Sequence, residues 1–163
     1  MTIRLLVTGG TFDKEYDEAS ATLVFRHSHV DEMLRHGRSR LAIETEVLMM
    51  VDSLEITAVQ RQEIVEACRR CTETHIVITH GTDTLVETAR AIAAGLEGKT
   101  VVLTGAMVPY AFGSLDGLFN LGSALSFVQT MPPGVYVVMN GRCFSWDNVC
   151  KNRQAGIFEP LRE

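Results

Sequence analysis

Short runs of β-branched and apolar residues alternate along the chain with stretches whose apolar positions recur three and four residues apart. The first run, residues 3–8, stops at the glycine pair of Thr8-Gly9-Gly10-Thr11. Runs at 41–51, 75–79, 100–104 and 135–139 have the same strand character, and each gives way to a polar residue or a glycine. Between them the spacing predicts helices over 30–37, 57–71, 83–95 and 118–129. The first of these closes at Gly37, the second opens on a capping box between Thr57 and Gln60, and Pro132-Pro133-Gly134 ends the last. Residues 12–25 are charged and show little periodicity, so they read as a mobile surface loop of the kind that serves as a lid. Residues 142–163 read as a polar tail with no clear period.

Strands alternating with helices predict an α/β fold: a five-stranded parallel sheet with right-handed crossovers and helices on both faces. In such a sheet ligands bind outside the carboxyl ends of the strands. Thr8, Thr11, Asp52, Ser53, the stretch Thr79 to Asp83, Thr104 and Asn140 all fall there. Helix caps favour the same residue types, so for any one of them a cap explains the residue as well as function does. The most pointed stretch is His80-Gly81-Thr82-Asp83-Thr84, which reads as a turn from a strand into a helix whose N-terminal N–H groups face an anion.

Composition narrows the classes. A length of 163 residues suits one domain. The net charge of −5, with no basic stripe, argues against nucleic acid as a partner, and no window approaches the ~18 apolar residues of a membrane span. The start, Met1 to Thr8, has too short an apolar core for a secretory signal, so a cytoplasmic protein is expected. Cys68 and Cys71 form a C-x-x-C, but late in a helix rather than at a helix start, and Cys143 and Cys150 have no histidine pair at zinc-finger spacing. All four read as reduced, mostly structural thiols. His27, His29, His36 and His75 show no metal-ligand helix spacing with a carboxylate partner, and the glycine pair is neither G-x-G-x-x-G nor a phosphate loop. No metal and no cofactor are expected.

The rim residues suggest acyl chemistry. Thr11, just past two glycines, presents a hydroxyl beside turn N–H groups that stabilise an oxyanion, but a threonine is a weak nucleophile and needs a base. Asp83 at a helix start is strongly ionised and takes a proton only through a relay such as Thr82 or with the help of a lysine; Lys151 reaches this edge if the tail folds back. His80 competes as a base, yet it follows a buried strand, where a hydrogen-bonded structural role is the more common one.

Thr8-Gly9-Gly10-Thr11 and His80-Gly81-Thr82-Asp83-Thr84 together resemble the two signatures of the bacterial-type L-asparaginase family. Leu103-Thr104-Gly105-Ala106-Met107-Val108-Pro109, Ser114-Leu115-Asp116-Gly117-Leu118-Phe119-Asn120, and Val137-Val138-Met139-Asn140 followed by Lys151 extend the likeness from about Ile3 to Lys151. The resemblance implies a Rossmann-like or flavodoxin-like sheet, with residues 1–163 as a single catalytic domain of the amino-terminal type and no carboxy-terminal domain. It further implies hydrolysis of the side-chain amide of L-asparagine through a Thr11 β-aspartyl ester, with little action on glutamine. Thr82, Asp83 and Lys151 correspond to the second triad. Tyr16 is the candidate lid tyrosine, although it stands only five residues after Thr11. Gly10, Asp52, Ser53, Gly81, Thr82, Asp83 and Ala106 form the implied substrate-binding set, with Asp83 on the α-amino group and Ser53 on the α-carboxylate. Asp52-Ser53-Leu54 stands where the family has Gly-Ser-Gln, which removes an amide contact. A short form implies a more open site with weaker substrate binding. The family and the apolar, glycine-rich stretch 105–125 point to a homodimer or homotetramer. The alternatives are a non-catalytic amino-acid-binding or regulatory module of the same fold, or the ammonia-supplying subunit of a tRNA-dependent amidotransferase.

Overall fold

The structure, a computed structural model, describes residues 1–113 and 116–162; Ser114 and Leu115, which open one of the family-like motifs, and Glu163 lie outside the described residues. In chain order the elements are β1 (Thr2–Gly9), β2 (Lys14–Asp17), β3 (Thr22–Phe25), α1 (Val30–His36), β4 (Ala42–Val51), α2 (Ala58–Arg70), β5 (His75–Thr79), α3 (Leu85–Ala93), β6 (Thr100–Thr104), α4 (Asp116–Val128), β7 (Gly134–Met139), β8 (Arg142–Ser145), β9 (Cys150–Asn152) and β10 (Ile157–Glu159).

The central sheet runs β4-β1-β5-β6-β7-β8, with the first five strands parallel. This is the flavodoxin-like order, with helices on both faces. The sequence pattern predicts five strands; the sixth, β8, runs antiparallel to β7. Asn140 and Gly141 both have positive φ (56° and 75°), as a tight hairpin turn requires, so the Asn-Gly that looks like the end of the fifth strand is a hairpin turn instead. The tail is likewise not irregular, because β9 and β10 pair as a second hairpin.

Residues 12–25 also differ from expectation. They form a short 3-10 turn, Thr11–Asp13, followed by the antiparallel β2–β3 hairpin. Its tip is held by Asp17, which accepts from the Ser20 amide at 3.0 Å and from Arg26 at 2.9 Å. The hairpin has no fully buried face, so its sequence shows no apolar alternation, and polar contacts carry it.

Alternation along the central strands feeds two cores. Leu6, Ile76, Ile78, Val101 and Leu103 pack with Ile64 and Val65 of α2 and Leu85 and Ile92 of α3. Ile3, Leu5, Val7, Val77 and Val102 face the other way, onto Val30 and Met33 of α1 and Leu121 and Leu125 of α4. This arrangement fixes the relative hand of the connections. The α1 crossover moves one way across the sheet and α4 the other, yet both helices lie on the same face. The β6–α4–β7 unit therefore has the opposite hand to the other three, against the expectation of right-handed crossovers throughout. Its consequence is local: the loop after β6 passes over the rim, seating Ala106 in the same core as Phe12.

Helix α2 starts as its sequence predicts, with Thr57 Oγ1 accepting from the Gln60 amide at 3.2 Å and Gln60 Oε1 accepting from the Thr57 amide at 3.0 Å. Among the described residues no helix is long and apolar enough to cross a membrane. Thr57→Ala is expected to lower stability by about 1 kcal/mol, read by urea denaturation, with no change in the slope of the transition.

Candidate active site

The strand order reverses between β1 and β5, which in an open α/β sheet is where the ligand crevice forms. Here the chain makes unusually close approaches. Gly10 has φ 75°, and a Cβ on it would lie 2.4 Å from both Cα and N of Gly81. A Cβ on Gly81 would in turn lie 2.5 Å from the Ser53 side chain. The Gly10 amide donates to Val51 O at 3.0 Å, which fastens the same turn to the end of β4. The ends of β4, β1 and β5 are thus stacked backbone against backbone, and Thr11 and Thr82 flank the contact.

The polar residues at this rim divide into two groups. Thr8 donates to Thr79 O at 2.8 Å and Thr104 to Val138 O at 2.8 Å, so both hydroxyls tie neighbouring strands together and are buried. Asn120, also buried, donates to Gly105 O at 2.9 Å and accepts from the Asn140 amide at 3.1 Å; Asn140 Oδ1 accepts from the Phe158 amide at 2.9 Å. Phe158 is paired in register with Lys151. A chain of amides therefore runs from the β6 loop to the β9–β10 hairpin and sets the position of Lys151.

His80 belongs to the structural group. A carbonyl can only accept, so His80 Nδ1–H donates to Gly81 O at 2.8 Å, leaving Nε2 to accept from Thr88 Oγ1 at 2.9 Å; Arg61 Nε donates to that hydroxyl at 3.1 Å. Complete burial drives the imidazole pKa down to about 4, against a smaller opposing effect of the Gly81 hydrogen bond. The neutral ring clamps the Gly81 peptide and so orients the turn that carries Thr82 and Asp83.

The second group faces the rim. Lys151 Nζ donates to Thr82 Oγ1 at 2.7 Å and to Asp83 Oδ1 at 3.0 Å. Arg153 also pairs with Asp83. Burial alone would raise the Asp83 carboxyl pKa, but the hydrogen bond and charge of Lys151, with the charge of Arg153, outweigh it and hold the group below its usual range. Nothing in the sequence pattern points to Arg153: it sits in the turn that follows β9, and only the folding of the tail into the β9–β10 hairpin brings it to Asp83.

Thr11 opens its 3-10 turn half-buried. Asp52 pairs with Lys14 and accepts from the Leu54 amide at 3.0 Å, and the Lys14 hydrogen bond in particular holds its carboxyl pKa low. Ser53 is buried, with Thr84 Oγ1 donating to its carbonyl at 2.8 Å. Tyr16 is exposed on β2, opposite Leu23, and among the described residues no hydrogen bond joins it to Thr11. Cys68 is buried and free, its thiol pushed up to about 12 by burial, which suits an inert structural residue. A concavity of about 590 Å³ lined by Arg4, Glu44, Glu73 and His75 lies at the opposite, amino-terminal edge of the sheet, away from this rim.

The family model for the asparaginase N-terminal domain matches residues 2–157. The chain belongs to the asparaginase family. It is 31% identical over 165 residues to L-asparaginase of Thermococcus kodakarensis, covering 96% of this chain and 49% of that protein. L-asparaginase 1 of Escherichia coli K12 is 30% identical over 166 residues with the same coverage. The solved structure of the thermostable T. kodakarensis L-asparaginase superposes with a TM-score of 0.88 at 29% identity, over 100% of this chain and 52% of that one. The chain thus spans about half the length of these asparaginases, and its fold is that of their amino-terminal domain.

The depressed His80 pKa fixes a sign. Between pH 6.5 and about 4 the unfolded imidazole binds a proton that the native one does not, so this contribution to stability is full above pH 6.5 and falls as the pH drops toward 4. Nuclear magnetic resonance should find the His80 ring signals stationary from pH 8 to pH 5. A midpoint near 6.5 would show that the ring is not clamped as described.

Proposed function

We propose that the chain is an L-asparagine amidohydrolase with Thr11 as its nucleophile. The observation that carries this reading is the bridge from Lys151 to both Thr82 and Asp83, beside the Gly10–Gly81 contact that brings Thr11 to the same rim. Thr11 Oγ bonds to the side-chain amide carbon while its proton passes to the amide nitrogen; the C–N bond breaks, ammonia leaves, and a β-aspartyl ester remains. Water then cleaves the ester, releasing aspartate and restoring the threonine. Thr82, Asp83 and Lys151 polarise the attacking group. Turn N–H groups around Gly10 and Gly81 receive the developing oxyanion, Asp83 holds the substrate ammonium, and Ser53 the carboxylate. On this reading Asp52 and Ala106 complete the substrate-binding set, and Tyr16 acts from the hairpin.

Glutamine, longer by one methylene, places its amide out of register, so it is the poorer substrate. The same reading makes the protein a cytoplasmic enzyme with no cofactor, residues 1–163 its catalytic unit. The exposed Met107, Val108, Phe112 and Phe119 beside the rim suit a homodimer or homotetramer. One observation favours a second reading, a non-catalytic amino-acid-binding module: Asp83 already carries two cations, and Arg153 competes with the substrate ammonium.

Ammonia release from asparagine, glutamine and dipeptide amides separates the two. Thr11→Ala is expected to lose on the order of a thousandfold or more in rate with asparagine, and Asp83→Ala to raise KM as well as lower kcat. Full activity in Thr11→Ala would contradict the nucleophile assignment. Calorimetric binding of asparagine with no ammonia on long incubation would favour the binding module.

A further inference from the structure

We propose that Glu15, His27 and His29 form a binding site for a divalent transition-metal cation of the zinc type, which ties the β2–β3 hairpin to the start of α1. The site is independent of the amide chemistry. One ligand atom from each residue lies within 4.8 Å of the other two. Glu15 Oε1 is 3.0 Å from His29 Nε2 and 3.6 Å from His27 Nδ1. The histidines stand two residues apart in the connection between β3 and α1, and the carboxylate comes from β2, a partner that sequence spacing could not reveal.

The independent observation is the state of His29. The residue is 6% exposed, and neither buried ring nitrogen makes a hydrogen bond: Nε2 lies 3.0 Å from Glu15 Oε1 but out of hydrogen-bond alignment, and Nδ1 has no partner within hydrogen-bond range. Unsatisfied buried polar nitrogens are uncommon, because each forfeits its hydration. A cation bound by Nε2 would satisfy one of them. The other, Nδ1, lies 3.7 Å from Glu32 Oε2, so a small shift lets its N–H donate to a carboxylate, as metal-binding histidines commonly do.

The surroundings hold the group in place. Asp13, buried, accepts the His29 backbone N–H at 2.7 Å, and the Tyr110 ring centroid is 5.8 Å from that of His29. Arg26 approaches the other Glu15 oxygen, Oε2, at 3.7 Å and leaves Oε1 to the metal. Ligand atoms around tetrahedral zinc stand about 3.3 Å apart; the two Glu15 separations are already near this, and the two imidazoles, within 4.8 Å of each other, must close by up to about 1.5 Å. His27, whose side chain is 66% exposed, is free to make that movement. Two imidazoles and one carboxylate favour zinc over the hard, all-oxygen cations, with water completing the shell.

Titrating zinc chloride alone into the chelator-treated full chain in a calorimeter tests this. One saturable site per chain is expected, with a rise in Tm. His27→Ala and Glu15→Gln should each weaken binding on the order of tenfold or more while keeping the metal-free Tm within a few degrees, and Cys71→Ser should leave binding unchanged. No saturable heat, binding that survives both substitutions, or binding lost in Cys71→Ser would overturn the proposal.

Discussion

No side chain fits where Gly10 meets Gly81: the atom that would begin one lies 2.4 Å from the Gly81 backbone. This contact joins two loops that leave strands running side by side, and the rest of the rim is arranged around it. The first loop turns into the segment carrying Thr11, and the second into the turn before α3 that carries Thr82 and Asp83. The sheet order makes β1 and β5 neighbours, and the reversal of strand order between them opens the crevice at their ends. Two glycines then let the loops close to a distance that any other residue would forbid.

Around this contact, polar groups act at two distances from the surface. Buried ones hold the scaffold: Thr8 and Thr104 bond to neighbouring strands, the Asn120–Asn140 relay anchors the hairpin behind Lys151, and neutral His80 pins the Gly81 peptide. Nearer the solvent, Asp52 pairs with Lys14, and Asp83 with Lys151 and Arg153. Pairing charges at a half-buried rim offsets the cost of taking them out of water. It also draws the first hairpin and the last one toward the same edge.

What the sequence made legible follows from where burial imposes a pattern. Four central strands and four helices carry buried positions, and the edge strand β4 half-buried ones, and their apolar patterning shows it; the capping box of Thr57 and Gln60 was legible from its own two residues. The hairpin at 14–25 has no buried position, and that at 150–159 has strands of three residues with Phe158 alone buried, so neither shows a period and they read as loop and tail. With them went β8, although Asn140-Gly141 was its signal, and Arg153, which only the hairpin turn after β9 brings to Asp83. The hand of the α4 crossover depends on which face a helix covers, which no local pattern encodes. Motifs at the rim were readable as a group because glycines and hydroxyls recur at several strand ends; their division into structural threonines and rim-facing ones rests on hydrogen bonds between strands far apart in sequence.

The most direct measurement is mass spectrometry of the chain quenched in acid during turnover of asparagine. Thr11 beside the Gly10–Gly81 contact predicts an added aspartyl group, carried as an ester by the peptide that contains Thr11. Ammonia release with that group mapped to Thr82, or with no adduct on the Thr11 peptide at any quench time, would contradict the proposed nucleophile and the purpose assigned to the contact.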